Sequence, residues 1–85
     1  MRYKVIAETV YGADECEKSA ITLETNSTFR AGTFVRDLVW KFNERWSDSI
    51  IERVVSIEKD GVTEVFDEKD WDIKAIKWLE INDWY

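Results

Sequence analysis

The chain has no histidine, no proline, one cysteine and three glycines among its 85 residues. Each shortage removes a class of chemistry. Without histidine, no side chain has its ordinary pKa near neutrality, and Ser-His and Cys-His activation of a nucleophile is excluded. One cysteine cannot close an intramolecular disulfide, and a zinc site would lack its usual ligands. Cys16 lies between Glu15 and Glu17, with Asp14 nearby. Carboxylates oppose a thiolate, so it reads as a passive thiol. Gly12, Gly32 and Gly61 stand apart from one another, which rules out a glycine-rich phosphate loop. Long apolar runs are also missing. The opening MRYKVIAETV contains no signal-peptide core, and no segment approaches a membrane span. A reducing, cytoplasmic location is expected, with no membrane association and no cofactor.

Basic charge is in deficit. Twelve Lys and Arg stand against eighteen Asp and Glu, for a net charge of −6. From Met1 to Arg45 the two signs balance at seven each, whereas from Trp46 to Tyr85 five cations face eleven anions. Proteins that bind nucleic acid gain most of their affinity by neutralising phosphates with cations. Direct nucleic-acid binding is therefore not expected. A protein partner with a basic surface is, because complementary fields speed encounter.

What the chain does have is apolar and aromatic material. Hydrophobic residues make up 45% of the sequence and five residues are Trp, enough for one α+β domain spanning 1–85. The clearest periodic stretch is TFVRDLVWKFNERWSD, Thr33 to Asp48. Its apolar residues Phe34, Val35, Leu38, Val39, Phe42 and Trp46 fall within about 140° of helical arc, a stripe suited to packing on a sheet. Thr33 is the expected N-cap. Asp37 near the first turn and Arg45 near the last complement the macrodipole.

The remaining segments read mainly as strands. Arg2 to Tyr11 carries apolar residues on both faces, which suits a central strand. GADECEK is a polar turn, and Ser19 to Thr25 returns as a half-buried strand with Ile21 and Leu23 inward. Asn26 to Gly32 connects to the helix, with Phe29 as the expected anchor to the core. Ile50 to Lys59 is a β-branched run. Asp60-Gly61 then predicts a tight hairpin into Val62 to Phe66. Residues 67–85 admit two readings. As a helix, Trp71, Ala75, Trp78, Leu79 and Asn82 align, but Ile73 and Ile81 point to water. As an acidic turn followed by a strand, Ile73, Ala75, Leu79 and Ile81 share a face. Three isoleucines, and an echo of Ile51-x-x-Val54-x-x-Ile57-Glu58 in Ile73-x-x-Ile76-x-x-Leu79-Glu80, favour the strand.

The expected order is ββαββ(β), with one amphipathic helix packed across one face of a mainly antiparallel sheet. A hairpin, a helix and further strands, with SAITLETNST ahead of the helix, resembles the ubiquitin-like β-grasp. The resemblance covers about a third of the chain, implies topology only, and carries no functional motif.

The densest acidic run, DEKDWD, places Asp67, Glu68, Asp70 and Asp72 around Trp71. It lacks the glycine and distal glutamate of an EF-hand loop, so no metal is expected there. No spacing selects a catalytic pair among the eighteen acids, and the chain reads as a non-enzyme. Trp40 lies opposite the apolar stripe of the helix, and Asp83, Trp84 and Tyr85 close the sequence. Large aromatics among acids make a surface able to attract and pack at once. Trp40, Asp67, Glu68, Asp70, Trp71, Asp72, Asp83, Trp84 and Tyr85 are therefore the expected partner-binding residues. The composition is similar to that of small acidic inhibitors carried by mobile elements, so a nucleic-acid mimic acting on a nucleic-acid-handling protein is one form of this reading. The alternative is a homo-oligomeric accessory protein, a homodimer at its simplest, assembling through a sheet edge and exposed aromatics.

Overall fold

Alternation along β1 (Tyr3–Tyr11) sets the architecture. Tyr3, Val5, Ala7 and Thr9 form a buried row, while Lys4 and Glu8 on the other face are exposed. The structure, a computed structural model, describes residues 2–11, 20–44 and 51–80. Within them β1 is followed by β2 (Ala20–Thr25), α1 (Thr28–Glu44), β3 (Ile51–Lys59), β4 (Val62–Val65) and α2 (Trp71–Trp78). The four strands form one sheet in the order β2-β1-β3-β4, and every neighbouring pair is antiparallel. This is an α+β fold with both helices packed on the sheet. β2 and β3 both run opposite to β1, so α1 carries the chain across β1 between two strands of the same direction.

Register explains how the core is assembled. Val5 lies opposite Leu23 on one side and Ile57 on the other, and Ala7 lies opposite Ile21 and Val54. Val54 and Ile57 are three residues apart, a spacing that puts side chains on opposite faces of a regular strand. A bulge resolves this. Pairing passes from Ile6–Ser56 to Ala7–Val54 and skips Val55, which turns both Val54 and Ile57 inward. The face without helices is polar: Lys4 is flanked by Glu24 and Glu58, and Glu8 Oε1 lies 3.4 Å from Arg53 Nη2. Arg53 Nη1 also donates to the Phe66 carbonyl at 3.1 Å, tying β3 to the chain leaving β4.

The β3–β4 hairpin forms where the Asp60-Gly61 pair predicts it. Asp60 (φ 49°) and Gly61 (φ 87°) both take positive φ, the conformation of a two-residue turn matched to strand twist. The turn is pinned to the start of the chain, because the Arg2 amide donates to Asp60 Oδ1 at 2.8 Å and the Asp60 amide to the Arg2 carbonyl at 2.9 Å.

The helix begins five residues before the expected Thr33 cap. Ser27 caps it instead: its Oγ accepts from the Arg30 amide at 3.2 Å and its carbonyl from the Ala31 amide at 3.1 Å. Thr33 lies inside the helix and donates its hydroxyl to the Phe29 carbonyl at 2.8 Å. The early start places Phe29 on the outer face with 80% exposure, so it is not a core anchor. Ala31 and Gly32 extend the expected stripe. Val35, Leu38 and Val39 are buried, and Phe34 and Phe42 pack against them half-buried. Arg45, Trp46, the GADECEK turn with Cys16, and the residues after Glu80 lie outside the described residues.

The largest departure is residues 71–78, which form α2 and not a strand. A helix brings Trp71, Ala75 and Leu79 onto one buried face, at the cost of leaving Ile73 67% exposed. Burying a Trp side chain is worth on the order of 4 kcal/mol. The whole range of strand propensities is only about 1 kcal/mol, so burial outweighs the isoleucines' preference. Trp71 meets Phe42 edge-on with ring centroids 5.3 Å apart. The far end of α2 is held by Lys59, whose Nζ donates to the Trp78 carbonyl at 3.0 Å and lies 4.6 Å from the Trp78 ring centroid, a favourable place for a cation.

Two stability measurements follow. Trp71→Ala is expected to lower unfolding free energy by about 3–5 kcal/mol. Trp71→Phe should cost clearly less, because the indole N–H it removes is buried without a hydrogen-bond partner. Equal denaturation midpoints for Trp71→Ala and the parent chain would sink this account of α2. Glu80 holds φ 56° just beyond α2, a conformation costly to any residue with a Cβ. Glu80→Gly is accordingly expected to raise stability by about 0.5 kcal/mol, read from the same denaturation curves.

Candidate functional site

The structure divides the expected partner-binding residues into two unlike groups. Asp67 and Glu68 are exposed on the connection between β4 and α2. Asp70 and Asp72 are half-buried. Asp70 Oδ2 lies 3.6 Å from Lys74 Nζ one helical turn on, and Asp72 sits in the first turn of α2, where its charge complements the helix dipole. Trp71 is fully buried and presents nothing to a partner; its expected surface role is corrected to a core role. Asp67 and Glu68 therefore face solvent while Trp71 fills the core, and Asp70 keeps one carboxylate oxygen, Oδ1, buried without a hydrogen-bond partner. Asp83, Trp84 and Tyr85 lie outside the described residues.

Trp40 is where its helical position predicts, on the outer face of α1 with 52% exposure. It borders a shallow groove of about 640 Å³ with Phe29, Arg36, Asp37, Asn43 and Glu44. Phe29 is the member that sequence reasoning missed. Its signal is present in the spacing: Phe29, Thr33, Arg36 and Trp40 follow the i, i+4, i+7, i+11 repeat of one helix face. The early cap at Ser27 is what brings Phe29 onto that face. A second groove, of about 600 Å³, runs between β2 and the first half of α1, where Leu23, Phe29 and Phe34 supply apolar walls and Arg30 and Asp37 the charges. No residue of the acidic run lines either groove.

Anions of the second half of the chain are distributed over the fold. Glu58 belongs to the polar face of the sheet, Asp60 to the hairpin turn, Glu64 to β4 and Glu80 to the end of α2. Among the described residues, no group of three His, Cys, Asp or Glu side chains is placed to hold a metal ion. Among the described residues, Glu52 is the carboxyl whose acidity departs from the ordinary. Burial raises its pKa above the usual 4.5, with the Lys41 ammonium pulling back in part, and its Oε2 is buried without a hydrogen-bond partner.

Fold and surface together define a class: an antiparallel α+β domain with two helices on one sheet face and an exposed aromatic stripe on the first helix. No family model matches the chain, and neither the curated proteins nor the solved structures give a match. Among the described residues, no helix is long and apolar enough to cross a membrane.

Glu52 supplies a pH test. Its folded-state pKa is raised, so the protonated form favours the fold. That contribution is fully present below the unfolded value and is lost as pH rises through the folded one. Glu52→Gln, which keeps the uncharged shape at every pH, is expected to match the parent in stability at about pH 4 and to exceed it at about pH 7. Thermal melts of both proteins at the two pH values make the comparison; a Gln variant less stable at neutral pH would contradict the assigned burial.

Proposed function

We propose that the chain is a non-enzymatic, cytoplasmic protein-interaction module that draws a partner with a basic surface and holds it on the outer face of α1. The observation carrying this reading is the pair Phe29 and Trp40, 80% and 52% exposed. They lie eleven positions apart on one helix face, about 16 Å along the axis. Exposed aromatics surrounded by polar and charged side chains have the composition of an interface core within its rim. Arg36, Asp37, Asn43 and Glu44 supply that rim.

The net charge of −6 supports electrostatic steering toward a cationic partner. Asp67 and Glu68 are its best-placed contributors because they are exposed and belong to no element that they must hold in place. The nucleic-acid-mimic form of the reading gains less from the geometry. Lys69, Lys74 and Lys77 interrupt the anions of that region, and a mimic needs an unbroken row of negative charge to replace phosphates.

The test is to capture partners on immobilised chain, purify one, and measure its binding kinetics against variants. Phe29→Ala and Trp40→Ala are expected to weaken binding by about tenfold or more each, mainly through faster dissociation. Phe29→Ala should leave thermal stability nearly unchanged because that side chain is 80% exposed, whereas Trp40→Ala, which removes an indole 52% exposed, should cost about 1–2 kcal/mol and still leave the chain folded at the temperature of the binding measurement. The double change Asp67→Asn with Glu68→Gln should slow association, most at low salt, and leave dissociation almost alone. A partner indifferent to the aromatic substitutions removes the helix-face reading. One displaced by duplex DNA would restore the mimic.

A further inference from the structure

β2 is one of the two outer strands of the sheet. Its six pairs with β1 run without a register shift. In such a ladder alternate residues turn their N–H and C=O away from the neighbour, and among the described residues no strand takes those of β2. Natural edge strands are blunted by lysine, proline, a bulge or very short length. AITLET contains no lysine, no proline and no bulge. The opposite edge, β4, is only four residues long. On the helix-bearing face of β2, Ile21 is 39% exposed and Leu23 half-buried. Beside them lies the groove of about 600 Å³ walled by Leu23, Phe29 and Phe34.

We infer that this edge accepts an extended segment of a partner protein as an added strand. The inference rests on the interaction-module reading above and names the form the partner takes at the β2 flank of α1. A strand laid alongside β2 sits about 4.8 Å from it, and every second side chain turns toward α1. Those side chains enter the groove, so they are apolar. The intervening ones turn to the polar sheet face beside Thr22 and Glu24, and the net charge of −6 selects lysine or arginine there. The occupant is thus a segment alternating apolar and basic residues. A second copy of this chain fits less well, because it brings another six negative charges and a second Glu24 to the same edge.

The experiment pans a displayed library of random heptapeptides against the intact chain at low salt, then titrates the enriched sequences, synthesised individually, into isotope-labelled protein. Enriched peptides are expected to alternate apolar with basic residues. They should shift the amide signals of Ala20 to Thr25 and of Phe29, and slow hydrogen exchange at alternate β2 amides. Methylating alternate backbone nitrogens of the peptide is expected to weaken binding by about tenfold or more, since it removes two or three hydrogen bonds. Ile21→Lys, an inward charge at the edge, should weaken it similarly; the methylated peptide gives the same answer with no change to the protein. Peptides without alternation, unmoved β2 amides, or no enrichment at all would overturn the inference. So would β2 protection that rises with protein concentration alone, which would make a second copy the occupant. The two proposals fail separately. A partner that needs Trp40 but leaves β2 amides unprotected removes the added strand only, whereas a partner bound at the edge that ignores Trp40→Ala removes the helix-face anchor only, since Trp40 borders the outer groove of α1 and not the groove beside β2.

Discussion

The burial of Trp71 is the contact on which the arrangement turns. Among the described residues it is the largest fully buried side chain. With Phe42 edge-on to its ring, it fixes α2 against both α1 and β3. Lys59 then clamps the other end of α2 at Trp78. Both helices lie chiefly over β3, and α1 touches β2 less. The sheet is four strands wide, so helical cover concentrated at β3 leaves the β2 side thinly roofed. Leu23 and Phe34 stay half-buried there, and the groove between β2 and α1 is the space left over. One packing decision near the C-terminal side of the fold thus shapes a surface at the opposite edge.

The same contact separates charge from aromatic surface. Trp71 could not both fill the core and stand among Asp67, Glu68, Asp70 and Asp72 as a docking residue. With the indole inside, the proposed binding has the acids act through their field, which reaches roughly 8–10 Å at ordinary salt, and leaves contact to Phe29 and Trp40 on α1. Steering and anchoring are then properties of different elements. This division is a common economy in association, because long-range charge changes the encounter rate while buried aromatics set the lifetime.

Element types and order were legible in the sequence through β4, and for specific reasons. The β1 alternation, the AITLET strand, the β-branched run of β3 and the Asp60-Gly61 turn each report a local preference that the fold keeps. The apolar stripe of α1 and the outward position of Trp40 followed from helical periodicity alone. Failures came where a tertiary contact overrode a local signal. Ile73 and Ile76 favour a strand, yet the gain from burying Trp71, Ala75 and Leu79 together makes that stretch a helix. Gly32 and Thr33 resemble a helix boundary, but Gly32 is buried inside α1 and Ser27 takes the cap. That six-residue shift of the cap hid Phe29, since the face a residue occupies depends on where its helix begins. The bulge at Val55 was equally hidden. It becomes necessary only once Val54 and Ile57 must face the same helices.

Net charge gives a last link between edge and composition. A regular, unguarded β2 invites pairing with any exposed strand, including β2 of another copy. Within AITLET only the Glu24 charge opposes this, and the polar sheet face is close to balanced, with Lys4 between Glu24 and Glu58 and Arg53 against Glu8. Among the described residues, the net charge of the molecule is then the larger source of protection. At −6, two copies repel before their edges meet, and a cationic segment is attracted by the same field. Acidity in this chain would then discriminate between strands that are otherwise alike to a row of backbone hydrogen-bonding groups. It is not necessary for the carboxylates to touch the partner, nor to cluster, for that discrimination to work. This is why their spread over hairpin, sheet face and helix ends is compatible with a binding role, where a mimic of nucleic acid would require them in line.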